Sequence, residues 1–334
     1  MTETQPAPST PEPGGRQERI NVLCIGSMSR SGSTVLDLML GQLPGFYSGG
    51  ELRYVWPKGL QQNLLCSCGE RFAECPFWGA VGDAAFGGWD NVDGEEACAL
   101  QDHVMRHRYL PLIVEPRLSR TFARNLDRFV ELLAALHAGL QKVTGCSVII
   151  DSSKDPPYLF ALRRVPNLDL RLVHLVRDPR GVAWSLQSKV ARADTTGGFL
   201  PRKPPRTAAL LWNDFNLMFH LLERVGMPRL FMRYEDLVKR PREHVERILS
   251  FVGEDADADT LRFLDGETID LGGHHLIGGN PVRFRTKNLR LRVDDTWREK
   301  LSFGARGVVS LLTLPLLLRY GYGLRGGDPS RAAG

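Results

Sequence analysis

The segment Gly26-Ser-Met-Ser-Arg-Ser-Gly-Ser-Thr34 constrains the fold of this chain more than any other. It follows a short apolar run, Asn21–Ser27, and precedes a helical pattern, Ser33–Leu43, that stops before Pro44. Small residues between a strand and a helix allow backbone N–H groups to close around a phosphate-like anion, and the helix N-terminus adds its positive dipole end. The segment therefore predicts an α/β protein of the P-loop type, with a parallel sheet flanked by helices.

This loop differs from a Walker A sequence at one informative position. The pattern GxxxxGK[ST] places a lysine directly before the hydroxyl residue, whereas this chain has Gly32 there and carries its positive charge on Arg30. Without a lysine for the β- and γ-phosphates, an ordinary ATP-dependent kinase is disfavoured. At this point a strand–helix turn that binds no ligand remains an open alternative, because glycine-rich loops are common.

Three further apolar runs have the composition of buried parallel strands, and a helical pattern follows each of them. The strands are predicted at Ser147–Asp151, Leu170–Val176 and Arg229–Arg233, and the helices from about Pro156, from Gly181, and from about Pro241 to Val252. A long amphipathic helix is predicted from Phe122 to Lys142, where apolar residues recur at spacings of three and four. Strands that alternate with helices are typical of βαβ units around a parallel sheet.

The 334 residues are predicted to form one domain at 20–325, with a cysteine- and aromatic-rich insertion at about 56–120 over the sheet edge. Residues 1–19 contain no apolar signal sequence, so we expect a disordered tail there and a flexible tail at 326–334. The apolar run Val308–Leu318 contains Pro315 and is too short to span a bilayer. We expect it to pack in the core rather than to rest on a membrane, and we expect a cytoplasmic protein.

A second loop follows a predicted strand and leads into a helix: Arg177-Asp-Pro-Arg-Gly-Val-Ala-Trp-Ser185. Its first arginine and its last serine can both reach one phosphate group. Together, the two loops resemble those of the sulfotransferases that use 3′-phosphoadenosine 5′-phosphosulfate (PAPS). The resemblance continues at Arg233-Tyr-Glu-Asp-Leu237 and Gly279-Asn-Pro-Val-Arg283, and it spans about Ile20 to Leu301 in order and spacing. It is strongest toward the bacterial, carbohydrate-type and tyrosylprotein branch.

The resemblance implies a role for individual residues. The 5′-phosphosulfate would lie on Ser29, Arg30, Ser31, Gly32, Ser33 and Thr34, the 3′-phosphate on Arg177 and Ser185, and the adenine near Tyr234, with Asn280 and Arg283 closing over the 3′-phosphate side. Arg30 and Lys154 would contact the sulfuryl group. Glu51 would be the base that deprotonates the acceptor, because it keeps the family's spacing after the loop arginine. PAPS would be the co-substrate and 3′-phosphoadenosine 5′-phosphate (PAP) the product, and no metal would be required.

The residues alone allow simpler interpretations of these side chains. Glu51 could pair with Arg53, Lys154 could be a solvated loop lysine, and Tyr234 could be a half-buried core residue. Serine and threonine at a helix start commonly cap the helix, a role that is compatible with phosphate binding.

The implied reaction is transfer of the sulfuryl group from PAPS to a hydroxyl, less readily an amine, of a small-molecule, sugar or lipid acceptor. Two alternatives stay open: a P-loop kinase-like phosphotransferase and a catalytically inactive nucleotide-binding protein. Lys plus Arg number 43 against 38 Asp plus Glu, and the resulting net charge of +5 suits an anionic small ligand. This excess is too small to indicate a nucleic-acid partner, and the sequence does not indicate an oligomeric state.

Two further features of the predicted insertion have more than one interpretation. Cys66, Cys68 and Cys75 are free thiols, or ligands of a metal whose fourth ligand is Cys98, His103 or His107, or partners in a disulfide, although C-x-C is not the usual C-x₂-C spacing of zinc sites. The aromatic residues wall an acceptor pocket or form the insertion's own core; they are Trp56, Phe72, Phe77, Trp78, Phe86 and Trp89. His274 and His275, further along, are expected to be structural or to contact substrate.

Overall fold

A parallel sheet forms the centre of the protein. The computed structural model describes residues 19–191, 198–255, 257–265, 268–269, 271–285, 287 and 289–324, so the tails predicted at 1–19 and 326–334 lie outside the described residues, apart from Arg19. Within the described residues, five strands form the sheet in the order β2–β3–β1–β4–β5. They are β1 (Ile20–Gly26), β2 (Phe46–Ser48), β3 (Val148–Asp151), β4 (Leu168–Val176) and β5 (Arg229–Arg233). Every neighbouring pair is parallel, which confirms the predicted fold class.

Helices cover both faces of this sheet. They are α1 (Ser33–Leu40), α2 (Pro76–Phe86), α3 (Gly94–Val104), α4 (Leu110–Val114), α5 (Arg120–Thr144), α6 (Pro156–Leu162), α7 (Pro179–Gln187), α8 (Pro205–Arg224), α9 (Tyr234–Lys239), α10 (Pro241–Val252), α11 (Trp297–Lys300) and α12 (Phe303–Arg319). A π-helical turn, Val55–Gln61, follows β2, and a small antiparallel pair, β6 (Thr268–Ile269) and β7 (Leu289–Arg290), lies outside the main sheet.

The alternation of side chains in β1 explains why this strand is apolar from Val22 to Ile25, after the partly exposed Asn21. Leu23 and Ile25 pack in the hydrophobic cluster that contains α1 and α10, whereas Val22 and Cys24 pack in the cluster that contains α5 and α6. Successive side chains of a strand point to opposite faces, so a strand covered on both faces must be apolar at every position. Because the strands are parallel, the loops that follow β1, β3 and β4 meet at one edge of the sheet.

The long helix α5 follows its predicted pattern and extends it by two residues at each end. Its apolar stripe is buried, and it consists of Leu126, Phe129, Leu133, Leu136 and Leu140. The hydroxyl of Ser119 accepts a hydrogen bond from the N–H of Phe122, which caps the N-terminus. The helix ends at Thr144, and Gly145 caps it with a left-handed φ of 62°.

The aromatic residues between 56 and 120 pack on one another. The rings of Phe72 and Trp78 stack with centroids 5.3 Å apart, and Trp56 contacts Phe86 and Trp89 edge to face. Trp56, Phe72 and Trp78 are buried in the same hydrophobic cluster as the stripe of α5. Of the two interpretations offered by the sequence, the structure therefore supports core packing for these rings.

The C-terminal helix α12 buries one face and exposes the other. Val309, Thr313 and Leu317 are buried in the core, whereas Phe303 and Leu311 remain 90% and 72% exposed. The predicted core packing therefore applies to one side of the helix. Within the described part of the chain, no helix combines the length and the apolar character that a membrane crossing requires.

Candidate active site

The loop between β1 and α1 has a distinctive backbone. Arg30 and Gly32 both adopt left-handed conformations, with φ of 74° and 88°, and α1 begins directly afterwards at Ser33. Left-handed residues in such a turn direct neighbouring backbone N–H groups toward one side and create an anion-binding concavity. The N–H groups of the first helical turn have no partners inside the helix and add a partial positive charge. The loop therefore has the geometry that an anionic group needs.

Gly32 also allows the loop to contact Tyr234, the first residue of α9. A Cβ atom at Gly32 would lie 2.3 Å from Cδ2 and 2.5 Å from Cε2 of the tyrosine ring. The guanidinium of Arg177 lies over the same ring, with Cζ 5.1 Å from the ring centroid. A side chain at position 32 would therefore displace the ring and the cation above it.

We expect Gly32→Ala to destabilise the protein by about 2–5 kcal/mol, because it combines left-handed strain with a steric clash. Gly145→Ala is the matched control, since Gly145 also has a positive φ but no atom lies within 4 Å of its Cβ position. Urea denaturation of both variants measures the difference. Equal losses of unfolding free energy would mean that the ring of Tyr234 moves without cost and that the contact is unimportant.

Arg177 stands at the carboxyl end of β4 and joins the first loop to a later segment. Its Nη1 donates a hydrogen bond of 2.9 Å to the carbonyl of Arg30, and its Nη2 donates to the carbonyl and to Oδ2 of Asp294, at 3.0 and 3.1 Å. Burial and the neighbouring positive charge of Arg177 lower the pKa of Arg30. Two adjacent guanidinium groups that are partly shielded from solvent are stabilised by a bound anion.

Glu51 and Lys154 form an ion pair beside the loop. Lys154 Nζ lies 2.7 Å from Glu51 Oε1, and the carboxyl group is largely buried. Lys154 follows β3 and holds a left-handed φ of 65°. In the described part of the chain, Arg30, Asn63 and Lys154 are the non-glycine residues with positive φ. Strained backbone of this kind is concentrated at functional sites.

A buried hydrogen-bond network positions Glu51. Asp37 of α1 accepts hydrogen bonds from the hydroxyls of Ser48 and Ser152, the second at 2.8 Å. Burial raises the pKa of Asp37 to about 7, and these two hydrogen bonds limit the rise. Ser48 and Ser152 also bond to the backbone of Gly50, next to Glu51. The network therefore fixes the turn after β2 to α1 and β3.

These elements enclose a pocket of about 550 Å³ beside the carboxyl ends of the sheet strands. Eleven of the thirteen site residues predicted from the sequence line it, namely Ser29, Arg30, Gly32, Ser33, Thr34, Glu51, Lys154, Arg177, Ser185, Tyr234 and Asn280. The other two, Ser31 and Arg283, lie outside the pocket wall. Ser31 belongs to the loop, but it is buried. Arg283 is 2% exposed and donates hydrogen bonds to the carbonyls of Gly279 and Leu65, at 3.3 and 3.2 Å.

Several residues of the pocket wall were not predicted from the sequence. Lys58 lies on the π-helical turn, where its Nζ is 4.0 Å from the centroid of the Tyr54 ring, and Lys203 lies in the loop before α8. Neither lysine belongs to a motif, so no local signal identified it. Among the residues that the structure describes, they join Arg30, Lys154 and Arg177 to place five cations on the wall against two carboxylates, Glu51 and Asp294. The pocket is therefore suited to a multiply charged anion.

Residues 23–258 match the sequence model of a known protein family, which is described as the Sulfotransferase family. The chain belongs to the sulfotransferase family. The resemblance seen in the two loops is thereby confirmed.

Individual relatives agree with this assignment. Carbohydrate sulfotransferase 1 of Homo sapiens and that of Rattus norvegicus are each 27% identical to this sulfotransferase over 181 residues, which is 49% of this chain. The match covers 41% of those proteins, so the chain spans less than half the length of the curated relatives it matches. The solved sulfotransferase domain of the Synechococcus PCC 7002 olefin synthase has the same fold, with a TM-score of 0.52 at 22% identity over 94% of this chain and 99% of that one.

Proposed function

We propose that this protein is a PAPS-dependent sulfotransferase that transfers the sulfuryl group to a hydroxyl of a small-molecule, sugar or lipid acceptor. One observation carries the proposal: the Ser29–Thr34 loop, the Arg177 and Ser185 pair, and the Glu51 and Lys154 pair open into one cationic pocket. PAPS brings roughly four negative charges, which matches a wall with an excess of cations. Family membership and the loop geometry support this assignment.

The nucleotide is proposed to bind across the carboxyl ends of the sheet strands. The 5′-phosphosulfate accepts hydrogen bonds from the loop between β1 and α1, where the helix dipole and Arg30 stabilise its charge. The 3′-phosphate lies between Arg177 and Ser185, and the adenine lies beside the ring of Tyr234. In this arrangement the two phosphate groups meet the loops that follow two neighbouring strands, β1 and β4, so the site suits a nucleotide with phosphates at both positions.

The proposed reaction is an in-line transfer. The acceptor oxygen attacks sulfur, the bond from sulfur to the 5′-phosphate oxygen breaks with its electron pair, and PAP leaves. Glu51 takes the proton of the acceptor hydroxyl, while Lys154 and Arg30 stabilise the charge that develops on the leaving phosphate. Because five cations already face this region, the proposal assigns no metal to the transferred group.

The acceptor is proposed to enter over an apolar part of the same wall. Leu186, Leu200, Pro201 and Val282 are apolar residues of the pocket wall. Such a surface suits the carbon skeleton of an alcohol, with its hydroxyl directed toward Glu51. The name of the human relative, a carbohydrate sulfotransferase, supports including sugars among the candidates.

Calorimetric titration with PAP, adenosine 5′-phosphosulfate and ATP tests the proposed function. We expect PAP to bind at least about tenfold more tightly than the other two, because only PAP combines a 5′- and a 3′-phosphate group, and a hydrogen bond to a charged group contributes about 1.5–3 kcal/mol. Tighter binding of ATP would instead support the phosphotransferase alternative. Tight PAP binding without sulfuryl transfer from PAPS to any of a panel of sugar, phenolic and long-chain alcohols would support the inactive alternative.

A further inference from the structure

Four potential metal ligands meet on the far side of the segment that carries Gly279 and Asn280. They are Cys66, Cys68, Cys75 and His275, and their ligand atoms all lie within 4.8 Å of one another. Cys68 Sγ is 3.7 Å from Cys75 Sγ, and His275 Nδ1 is 3.2 Å from Cys75 Sγ and 3.8 Å from Cys66 Sγ. None of these four residues lines the pocket described above.

These three separations lie within about 0.3 Å of the edges of a tetrahedron around a zinc ion. Zn–S bonds of about 2.3 Å and a Zn–N bond of about 2.0–2.1 Å place two sulfurs about 3.8 Å apart and a sulfur about 3.5 Å from the nitrogen. We propose that Cys66, Cys68, Cys75 and His275 bind one zinc ion with a structural role. The proposal goes beyond sulfuryl transfer and does not depend on it, since the ion would also be present in an inactive protein.

The donor set favours zinc over the other uses of clustered cysteines. Three thiolates and one imidazole form a closed four-coordinate set, which is typical of structural zinc sites and unsuited to magnesium or calcium. A disulfide would use two sulfurs and leave a third thiol and a histidine facing it in a buried position. Only a metal ion gives a function to all four groups.

The surroundings of the cluster also suit a metal. The backbone N–H of Cys68 donates to the sulfur of Cys66, and that of Trp78 donates to the sulfur of Cys75. Such hydrogen bonds stabilise thiolates, and a metal would supply the remaining positive charge.

Supporting contacts hold the two chain segments of the cluster in place. The hydroxyl of Ser67 donates to the carbonyl of His274 at 2.8 Å and accepts from the N–H of Leu276 at 2.7 Å. The ring of Phe77 stacks on that of His275, with centroids 5.0 Å apart. These contacts orient the histidine, as partners around a metal ligand generally do.

The ion would stabilise one wall of the pocket described above. The carbonyl of Ile277, two residues after His275, accepts a hydrogen bond of 2.9 Å from the N–H of Glu51. Gly279 and Asn280 follow on the same segment and line the pocket. A zinc ion bound by His275 would therefore connect this segment to the one that carries the three cysteines. It would affect Glu51 only indirectly, through the backbone hydrogen bond at Ile277.

Metal analysis of the full chain, free of any histidine tag and purified without chelators, tests the proposal directly. We expect about one zinc per chain, and X-ray absorption should give three sulfur ligands at about 2.3 Å and one nitrogen at about 2.0–2.1 Å. Protein that is folded, reduced and free of zinc after growth with added zinc would overturn the proposal. A disulfide between Cys68 and Cys75, seen by mass spectrometry of non-reduced peptides, would also overturn it.

Variants separate this site from other cysteine effects. Cys75→Ser and His275→Ala should each lower the zinc content of the purified protein, whereas Cys98→Ser, at a partly buried cysteine of α3 outside the cluster, should retain one zinc. If the cluster variants do not fold, the wild-type protein still decides the matter. Removal of its zinc by a chelator should lower the melting temperature by several degrees, and zinc but not magnesium should restore it. An unchanged melting temperature after complete zinc removal would contradict the structural role.

Discussion

Glu51→Gln is expected to reduce the turnover number of this sulfotransferase by about 10²–10⁴-fold, the usual contribution of a general base. The glutamine keeps an oxygen that can accept the hydrogen bond from Lys154 Nζ, which lies 2.7 Å from the carboxylate. It cannot take a proton from the acceptor hydroxyl. PAP affinity should therefore stay within a few-fold of the wild-type value. Steady-state turnover with a hydroxyl acceptor and calorimetry with PAP measure the two effects separately.

Glu74→Gln is the control for this experiment, because Glu74 is an exposed carboxylate in the segment between 56 and 120. It should leave both quantities unchanged. Near-normal turnover of Glu51→Gln would show that another group removes the proton. A parallel loss of turnover and PAP affinity would mean that Glu51 acts by positioning Lys154 and the nucleotide.

Arg177→Ala should weaken PAP binding by about 10–100-fold, since a hydrogen bond to a charged group contributes about 1.5–3 kcal/mol. The guanidinium is fixed by Asp294 and by the carbonyl of Arg30, so little rotational freedom is lost when a phosphate binds. Affinity for adenosine 5′-phosphosulfate, which has no 3′-phosphate, should change far less. The ratio of the two dissociation constants is the quantity to measure.

Arg171→Ala is the matched control, because Arg171 lies on the same strand β4 and pairs with Asp169 at 3.1 Å, away from the pocket. Its affinity ratio should equal that of the wild type. An equal loss of both ligands in Arg177→Ala would indicate that the arginine only supports the loop at Arg30. The assignment of the 3′-phosphate to Arg177 would then fail.

The fold was predictable where the signal was local. The strand β5 and the helix α10 occur at their predicted bounds, because each is a short continuous pattern. The strand β2 was not predicted, since three residues at a sheet edge have no periodicity to detect. The helix α1 ends at Leu40 rather than at the predicted Leu43, because the chain turns at Gly41.

Residues that approach from distant parts of the chain could not be predicted. Lys203 reaches the pocket from a loop without a motif. The histidine of the cysteine cluster lies 200 positions after Cys75. The three residues proposed from the sequence as the fourth ligand lie closer to Cys75 along the chain, but none of them joins the cluster. His107 pairs with Asp214 at 2.7 Å, His103 packs on aromatic rings, and Cys98 lies outside the cluster. Proximity along the sequence did not predict the histidine of the cluster, because tertiary packing brings distant segments together.

The left-handed backbone at Arg30 and Lys154 carries a consequence for engineering. An L-residue in that conformation costs about 1–2 kcal/mol, and glycine would avoid the cost. A search for thermostable variants would therefore favour glycine at Arg30 and would remove its cation from the pocket, whereas at Lys154 the lost ion pair with Glu51 would oppose the gain. At Arg30 thermal stability thus competes with the proposed chemistry, and a stabilised version of this protein should be sought by changing other parts of the chain.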